Sequence, residues 1–235
     1  MTTTLLVRDV ITATPRVRML RLDTAGTSFT FVAGQAVMAG LHRSPLRKPY
    51  SIASAPSEAV RRGWIELLVQ VDDSGGPDPH LELARPGVAL DLEGPFGSFG
   101  LPDLDRDSAV VLVAGGTGIA PLRSMLVEAL DRPSPPRISV VYSARSADEL
   151  AYRGEFEALA AEGRVSLVMT VTRELDRGWP GRRGRIDRAL LADVLPDPGA
   201  WCLVCGPPAL VEDVRTGLAA LGVSGRRVVV ERYDV

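Results

Sequence analysis

The sequence predicts an all-β antiparallel barrel at residues 1–103, followed at 104–235 by an α/β domain with a doubly wound parallel sheet. Three observations carry this. Short β segments broken by Gly, Pro and Ser run to about residue 100. Uniformly apolar runs alternate with helix-like stretches from Asp107 onward. A glycine loop, AGGTG at 114–118, joins the first of those runs to the first helix. Alternation with turn residues between strands marks a small barrel, whereas strands apolar on both faces mark a sheet covered by helices.

In the first half the candidate strands are LLVRDVITAT, VRMLRLD, QAVMAGL, PYSIAS, WIELLVQV and VALDLEG. In the second they are 109–115, 138–144, 165–171, 201–206 and 227–233, with helices expected at 119–131, 148–162, 186–194 and 208–221. LPDLDRDS, 101–108, is the expected hinge.

Composition excludes several classes. With 27 Lys plus Arg against 29 Asp plus Glu, the net charge of −2 leaves no broad footprint for nucleic acid or an anionic membrane. No apolar run approaches the ~20 residues of a membrane span, and MTTTLLVRDV lacks a leader pattern, so a cytoplasmic protein is expected. Cys202 and Cys205 have C-x-x-C spacing, but in a buried strand they point to opposite faces, too far apart for a disulfide. Two thiols and two histidines cannot ligate a four-cysteine iron–sulfur cluster or a closed zinc site, so no metal is expected.

The glycine loop is the first functional signal. Glycine permits close backbone approach, and a helix N-terminus offers unpaired N–H groups to an anion, so strand–AGGTG–helix suits a pyrophosphate. The spacing is not the usual G-x-G-x-x-G, and a tight turn without a ligand competes with this reading.

Other segments tip the balance. GQAVMAGL, KPYSIAS, GPFGSF, AGGTGIAPL, YSAR, CGPP and ERY, in that order, resemble the ferredoxin-NADP reductase superfamily over nearly the whole chain. The resemblance implies an FAD-binding barrel followed by a nicotinamide-nucleotide domain. On that likeness the loop is bare so that NAD(P)H can approach it.

By the resemblance, Tyr50 lies against the flavin ring and the Ser51 hydroxyl hydrogen-bonds near flavin N5, where a group that both donates and accepts suits hydride arrival. Lys48 stands where the family has Arg, with Arg47 before it, and either could serve the flavin phosphate; lysine does so only as a point charge. The family's Gly-x-x-Ser/Thr phosphate turn falls on SGGPDPHL, with Asp78 in the Ser/Thr place, between two prolines, and Gly76 within the turn assigned to flavin binding. Proline lacks an N–H and aspartate repels phosphate. Loose FAD, FMN in its place, or an exchanging flavin substrate would each follow. Phe96 and Phe99 are expected to be packing residues.

On the nicotinamide side the likeness assigns Gly115, Gly116, Thr117 and Gly118 to pyrophosphate and ribose, and Cys205 and Gly206 to the nicotinamide. Glu231 and Tyr233 match a Glu-x-Tyr ending whose tyrosine covers the flavin and moves aside. Thr172 and Arg173 match a Ser-Arg pair placed against the 2′-phosphate, with Arg177, Arg182 and Arg183 nearby, which favours NADPH over NADH.

The expected activity is that of an FAD-dependent, ferredoxin-NADP reductase-like enzyme passing electrons to a separate acceptor: a ferredoxin, flavodoxin or oxygenase component. Two alternatives stand beside it. One is an NAD(P)H:flavin reductase releasing its flavin, and the other a non-catalytic nucleotide-binding subunit.

Overall fold

The computed structural model describes residues 2–71, 78–104, 107–173 and 178–233. Two compact units make up the chain. One is Met1–Leu101 with Arg123–Asp131, the other Pro102–Leu122 with Arg132–Val235.

The first unit is built on β1 (Thr2–Thr14), β2 (Val17–Asp23), β3 (Ala36–Leu41), β4 (Lys48–Ser51), β5 (Trp64–Gln70) and β6 (Ala89–Phe96), in the antiparallel order β4-β3-β6-β1-β2-β5. Its two outer strands meet again: Ile52, just past β4, bridges Leu67 of β5, and the Ala53 N–H donates to the Glu66 carbonyl at 2.8 Å. The sheet thereby closes on itself, which removes its free edges. Period-2 alternation fills the interior. Leu5 and Val7 are buried while Leu6 is 54% exposed, and Leu20, Leu22, Ile65 and Leu67 complete the same cluster.

Helix α1 (Pro56–Arg62) lies in a stretch read from sequence as a connection between strands. Its signals are local: Pro56 in the first turn, and Gly63 at φ 74° ending the helix with an N–H bond to Ala59.

The second unit carries β7 (Ala109–Gly115), β8 (Arg137–Ala144), β9 (Ser166–Val171), β10 (Arg182–Arg183), β11 (Trp201–Gly206) and β12 (Val228–Arg232), all parallel, in the order β10-β9-β8-β7-β11-β12. The chain enters at β7, winds outward through β8 and β9, then returns to β11 on the other side. The crevice between the C-terminal ends of β7 and β11 is therefore the switch point where open α/β sheets hold ligands. Val111, Val113, Val141, Cys202 and Val204 form the core, fully buried as the uniform runs require.

Helices α2 (Ile119–Leu130), α3 (Arg153–Ala161), α4 (Arg188–Val194) and α5 (Pro208–Ala220) follow their strands. Helix α3 begins later than the expected 148 because Ala147–Glu149 form a 3-10 turn and Tyr152 takes φ 59°. Helix α4 begins at the Asp187 cap, whose carboxylate accepts the Leu190 N–H at 2.8 Å. The two-residue β10 has no sequence signal of its own.

Candidate functional site

Strand β4 presents the K-x-Y-S residues in register with β3, Val37 opposite Tyr50 and Ala36 opposite Ser51. Tyr50 is half-buried against the barrel core. Lys48 lies two residues before Tyr50 on the same face. Its ammonium pairs with Asp78, whose side chain is 4% exposed. The second Asp78 oxygen accepts the His80 N–H at 2.7 Å. Gly76 lies outside the described residues.

Arg47 precedes the strand and points elsewhere, pairing with Asp91 and Glu93 at 3.4 Å each. Asp91 also accepts from His42 (2.8 Å), from the Thr4 hydroxyl (2.7 Å) and from the Arg43 N–H (3.0 Å). Hydrogen bonds from His42, Thr4 and Arg43 hold its carboxyl well below the usual range. Of the two expected packing residues, Phe99 is buried and Phe96 is 41% exposed.

At the switch point of the second unit, Gly115 ends β7 and Gly116–Gly118 make a 3-10 turn into α2. The chain itself accounts for the bare backbone. A Cβ on Gly118 would overlap the Cys205 carbonyl oxygen, and one on Gly115 would lie 2.7 Å from Leu210. Gly116 needs φ 55°. The loop is glycine-rich first because β11 and α5 press on it, which differs from the reading that it is bare for the nucleotide.

Tyr233 occupies this loop. Its hydroxyl donates to the Gly115 carbonyl, beside Thr117 and Gly118. Burial pushes the phenol pKa up. The tyrosine expected to cover a flavin thus sits with its hydroxyl on the loop backbone. The loop leads into the N-terminus of α2, where unpaired N–H groups suit an anion.

Beside it, Cys205 and Glu231 are register partners on β11 and β12, with the thiol 3.9 Å from a Glu231 carboxylate oxygen. Burial, and then the Glu231 charge, push the Cys205 thiol up, so it is neutral and no nucleophile. Gly206 faces Gly115 across the crevice, a Cβ there lying 3.3 Å from the Gly115 nitrogen. The structure therefore gathers Gly115–Gly118, Cys205, Gly206, Glu231 and Tyr233.

Thr172 and Arg173 lie apart from that group, at the end of β9. The Thr172 hydroxyl donates to the Ala144 carbonyl at 3.3 Å, and the Arg173 N–H to the Arg145 carbonyl at 2.7 Å. Arg145, within the YSAR segment, was not assigned from sequence; its strand-end position in register with Thr172 and Arg173 is the signal that finds it. Arg182 is bidentate to Asp187 at 2.9 Å, and Arg183 donates to the Trp179 carbonyl at 3.1 Å. Arg177 is outside the described residues.

Comparison with known proteins agrees with both halves. The family described as oxidoreductase FAD-binding domain matches residues 3–100, and that described as oxidoreductase NAD-binding domain matches 112–216. A ferredoxin–NADP reductase B of Sorangium cellulosum is 35% identical, the match covering 94% of this chain and 93% of that protein. The chain belongs to the ferredoxin–NADP reductase family.

This reductase is therefore an FAD- and NAD(P)-binding oxidoreductase with the expected fold, a β-barrel unit followed by a parallel α/β unit. A NADH-cytochrome b5 reductase 2 of Scheffersomyces stipitis is 30% identical; the match covers 71% of this chain but 56% of that protein. Among solved structures, the Amycolatopsis cytochrome P450 reductase GcoB has TM-score 0.83 and 29% identity, over 98% of this chain and 70% of that one. A ferredoxin NADP+ reductase from Neisseria gonorrhoeae with bound FAD and NADP shares the fold at TM-score 0.80 and 21% identity, with 98% of both chains covered. No helix among the described residues is long and apolar enough to cross a membrane.

Proposed function

We propose that the reductase passes a hydride from C4 of NAD(P)H to N5 of a flavin held by residues 1–103, with residues 104–235 holding the nucleotide, and delivers electrons to a separate redox protein. The observation that carries this is the glycine loop at the switch point, leading into the N-terminus of α2 beside Cys205 and Glu231. A bound flavin supplies a carrier that accepts an electron pair and releases electrons singly.

The chain's own part is positioning. Gly115–Gly118 and Thr117 hold the pyrophosphate once Tyr233 has left the loop. Cys205, small and neutral, borders the nicotinamide with Gly206, and Glu231 fixes the thiol's direction. Tyr50 would lie along the flavin ring, and the Ser51 hydroxyl, able to donate or accept, would suit N5. Lys48 is the cation for the flavin phosphate; Arg47 is committed to Asp91 and Glu93.

NADPH is the proposed donor, through Thr172, Arg173 and Arg145 against the 2′-phosphate. Arg173→Ala should raise KM for NADPH ~10-fold or more, as loss of a charge-assisted bond implies, with NADH little changed. An equal effect on both nucleotides removes the assignment. The proposed acceptor is a ferredoxin or an oxygenase component, in keeping with the P450 reductase and ferredoxin reductase relatives.

A second reading, an NAD(P)H:flavin reductase, is favoured by the Lys48–Asp78 pair. Purification without added flavin, followed by anaerobic NADPH, separates the two. A stoichiometric yellow protein that bleaches supports the bound-FAD reductase. A colourless protein that oxidises NADPH only with free flavin supports the second reading.

A further inference from the structure

We propose that Asp78 is a built-in competitor for the flavin phosphate, so that this chain binds flavins by the ring and discriminates little between riboflavin, FMN and FAD. The inference rests on the reading of Lys48 as the phosphate cation. It deepens that reading by naming what sets the tail specificity.

The argument begins with who holds whom. Lys48 and Tyr50 leave the same face of β4, so a flavin along Tyr50 brings its tail toward Lys48. That ammonium is already paired with Asp78, which is buried and fixed from its other oxygen by the His80 N–H. The neighbouring cation gives no help, because Arg47 is bound to Asp91 and Glu93 on the opposite side.

A second carboxylate deepens the effect. Glu82, with a side chain 6% exposed, accepts from His80 at 3.1 Å, and its Oε2 is buried with no hydrogen-bond partner among the described residues. Asp78, His80 and Glu82 bring one polar atom each within 4.8 Å of one another. Two buried carboxylates thus lie together here, one of them paired with Lys48.

A phosphate entering here must take Lys48 from Asp78, leaving a buried carboxylate uncompensated, or sit against a net negative field. Either route costs the charged tail. Neither touches the uncharged ring, whose contacts are assigned to Tyr50 and Ser51. The expected result is a flavin held by its ring, to which the charged tail adds little.

The test is fluorescence-quenching titration with riboflavin, FMN and FAD. Wild type should bind all three within ~3-fold of one another, less than a single charge contact supplies. The near-isosteric Asp78→Asn should tighten FMN and FAD at least ~10-fold and leave riboflavin unchanged, since only the phosphate meets the altered charge. Asp78→Ser, which can still accept the His80 N–H, should do the same if the first variant melts early. Adding Lys48→Met to Asp78→Asn should abolish the gain.

A wild type preferring FAD over riboflavin by more than ~10-fold overturns the proposal, as does an Asp78→Asn that tightens nothing or shifts all three flavins alike. Failure of the wider reading looks different. A wild type that binds no riboflavin and oxidises no NAD(P)H with excess flavin overturns both.

Discussion

Tyr233 places its hydroxyl on the Gly115 carbonyl, so on the proposed nucleotide site it would have to leave before the ligand enters. Tyr233→Phe keeps the ring but removes the hydroxyl bond to the Gly115 carbonyl that holds it in the loop. Binding of NADP+ should tighten several-fold, while stability falls by about 1 kcal/mol from the lost hydrogen bond. Calorimetric titration and thermal melts read the two effects; unchanged affinity would show that the hydroxyl does not compete. Ser51→Ala should slow anaerobic flavin reduction about 10- to 100-fold, the worth of a hydrogen bond to a charged group, as followed by stopped flow. The candidate residues of both half-sites were named because their types and order carry a family pattern. Their partners were not: sequence left Arg47 and Lys48 open, and only tertiary contacts with Asp91, Glu93 and Asp78 separate them.

At the scale of elements, α1 and α2 are tied by buried ion pairs as well as by the apolar face of α2, with Met125 and Leu126 buried. Arg123, 3% exposed, is bidentate to Glu58 at 2.9 and 3.1 Å and donates to the Ala53 carbonyl at 2.9 Å. Burial opposes the Glu58 charge, but hydrogen bonding and charge from Arg123, then Arg62, bring its pKa below the usual value. Arg123→Met should destabilise by about 3–5 kcal/mol because it strands a buried carboxylate, and Arg123→Met with Glu58→Gln should recover much of it. Denaturant titration of the single and double variants decides; additive losses would deny the coupling. This pairing explains why Arg123–Asp131 group with the barrel although the sequence runs them inside the second domain. Strong patterns such as AVVLVAG and IAPLRSMLVEAL were readable in advance. Helix α1 was passed over because seven residues give too little periodicity, though Pro56 and Gly63 mark its ends.

For the whole molecule, acid is the expected weakness. Asp91 and Glu58 both titrate below their ordinary range in the folded state. A folded pKa under the unfolded one adds stability that is full above about pH 4 and disappears as pH falls through the native value. The unfolding free energy should therefore drop steeply below about pH 4, and Asp91→Asn should flatten that acid limb while lowering stability at pH 7. An acid limb of unaltered steepness in Asp91→Asn would show that the carboxylate contributes nothing there.

The two thiols have a consequence of another kind. Cys202 and Cys205 are the chain's only cysteines, both are enclosed in β11, and burial pushes the Cys202 pKa up to about 12. A thiol reagent at neutral pH then reacts only during excursions that open the central sheet, at a pace set by how often the sheet opens. The nucleotide unit carries its own clock, needing no label. NADP+ held at the neighbouring strand ends would slow that clock in proportion to its occupancy, so colour development from a simple disulfide reagent becomes a measure of nucleotide affinity.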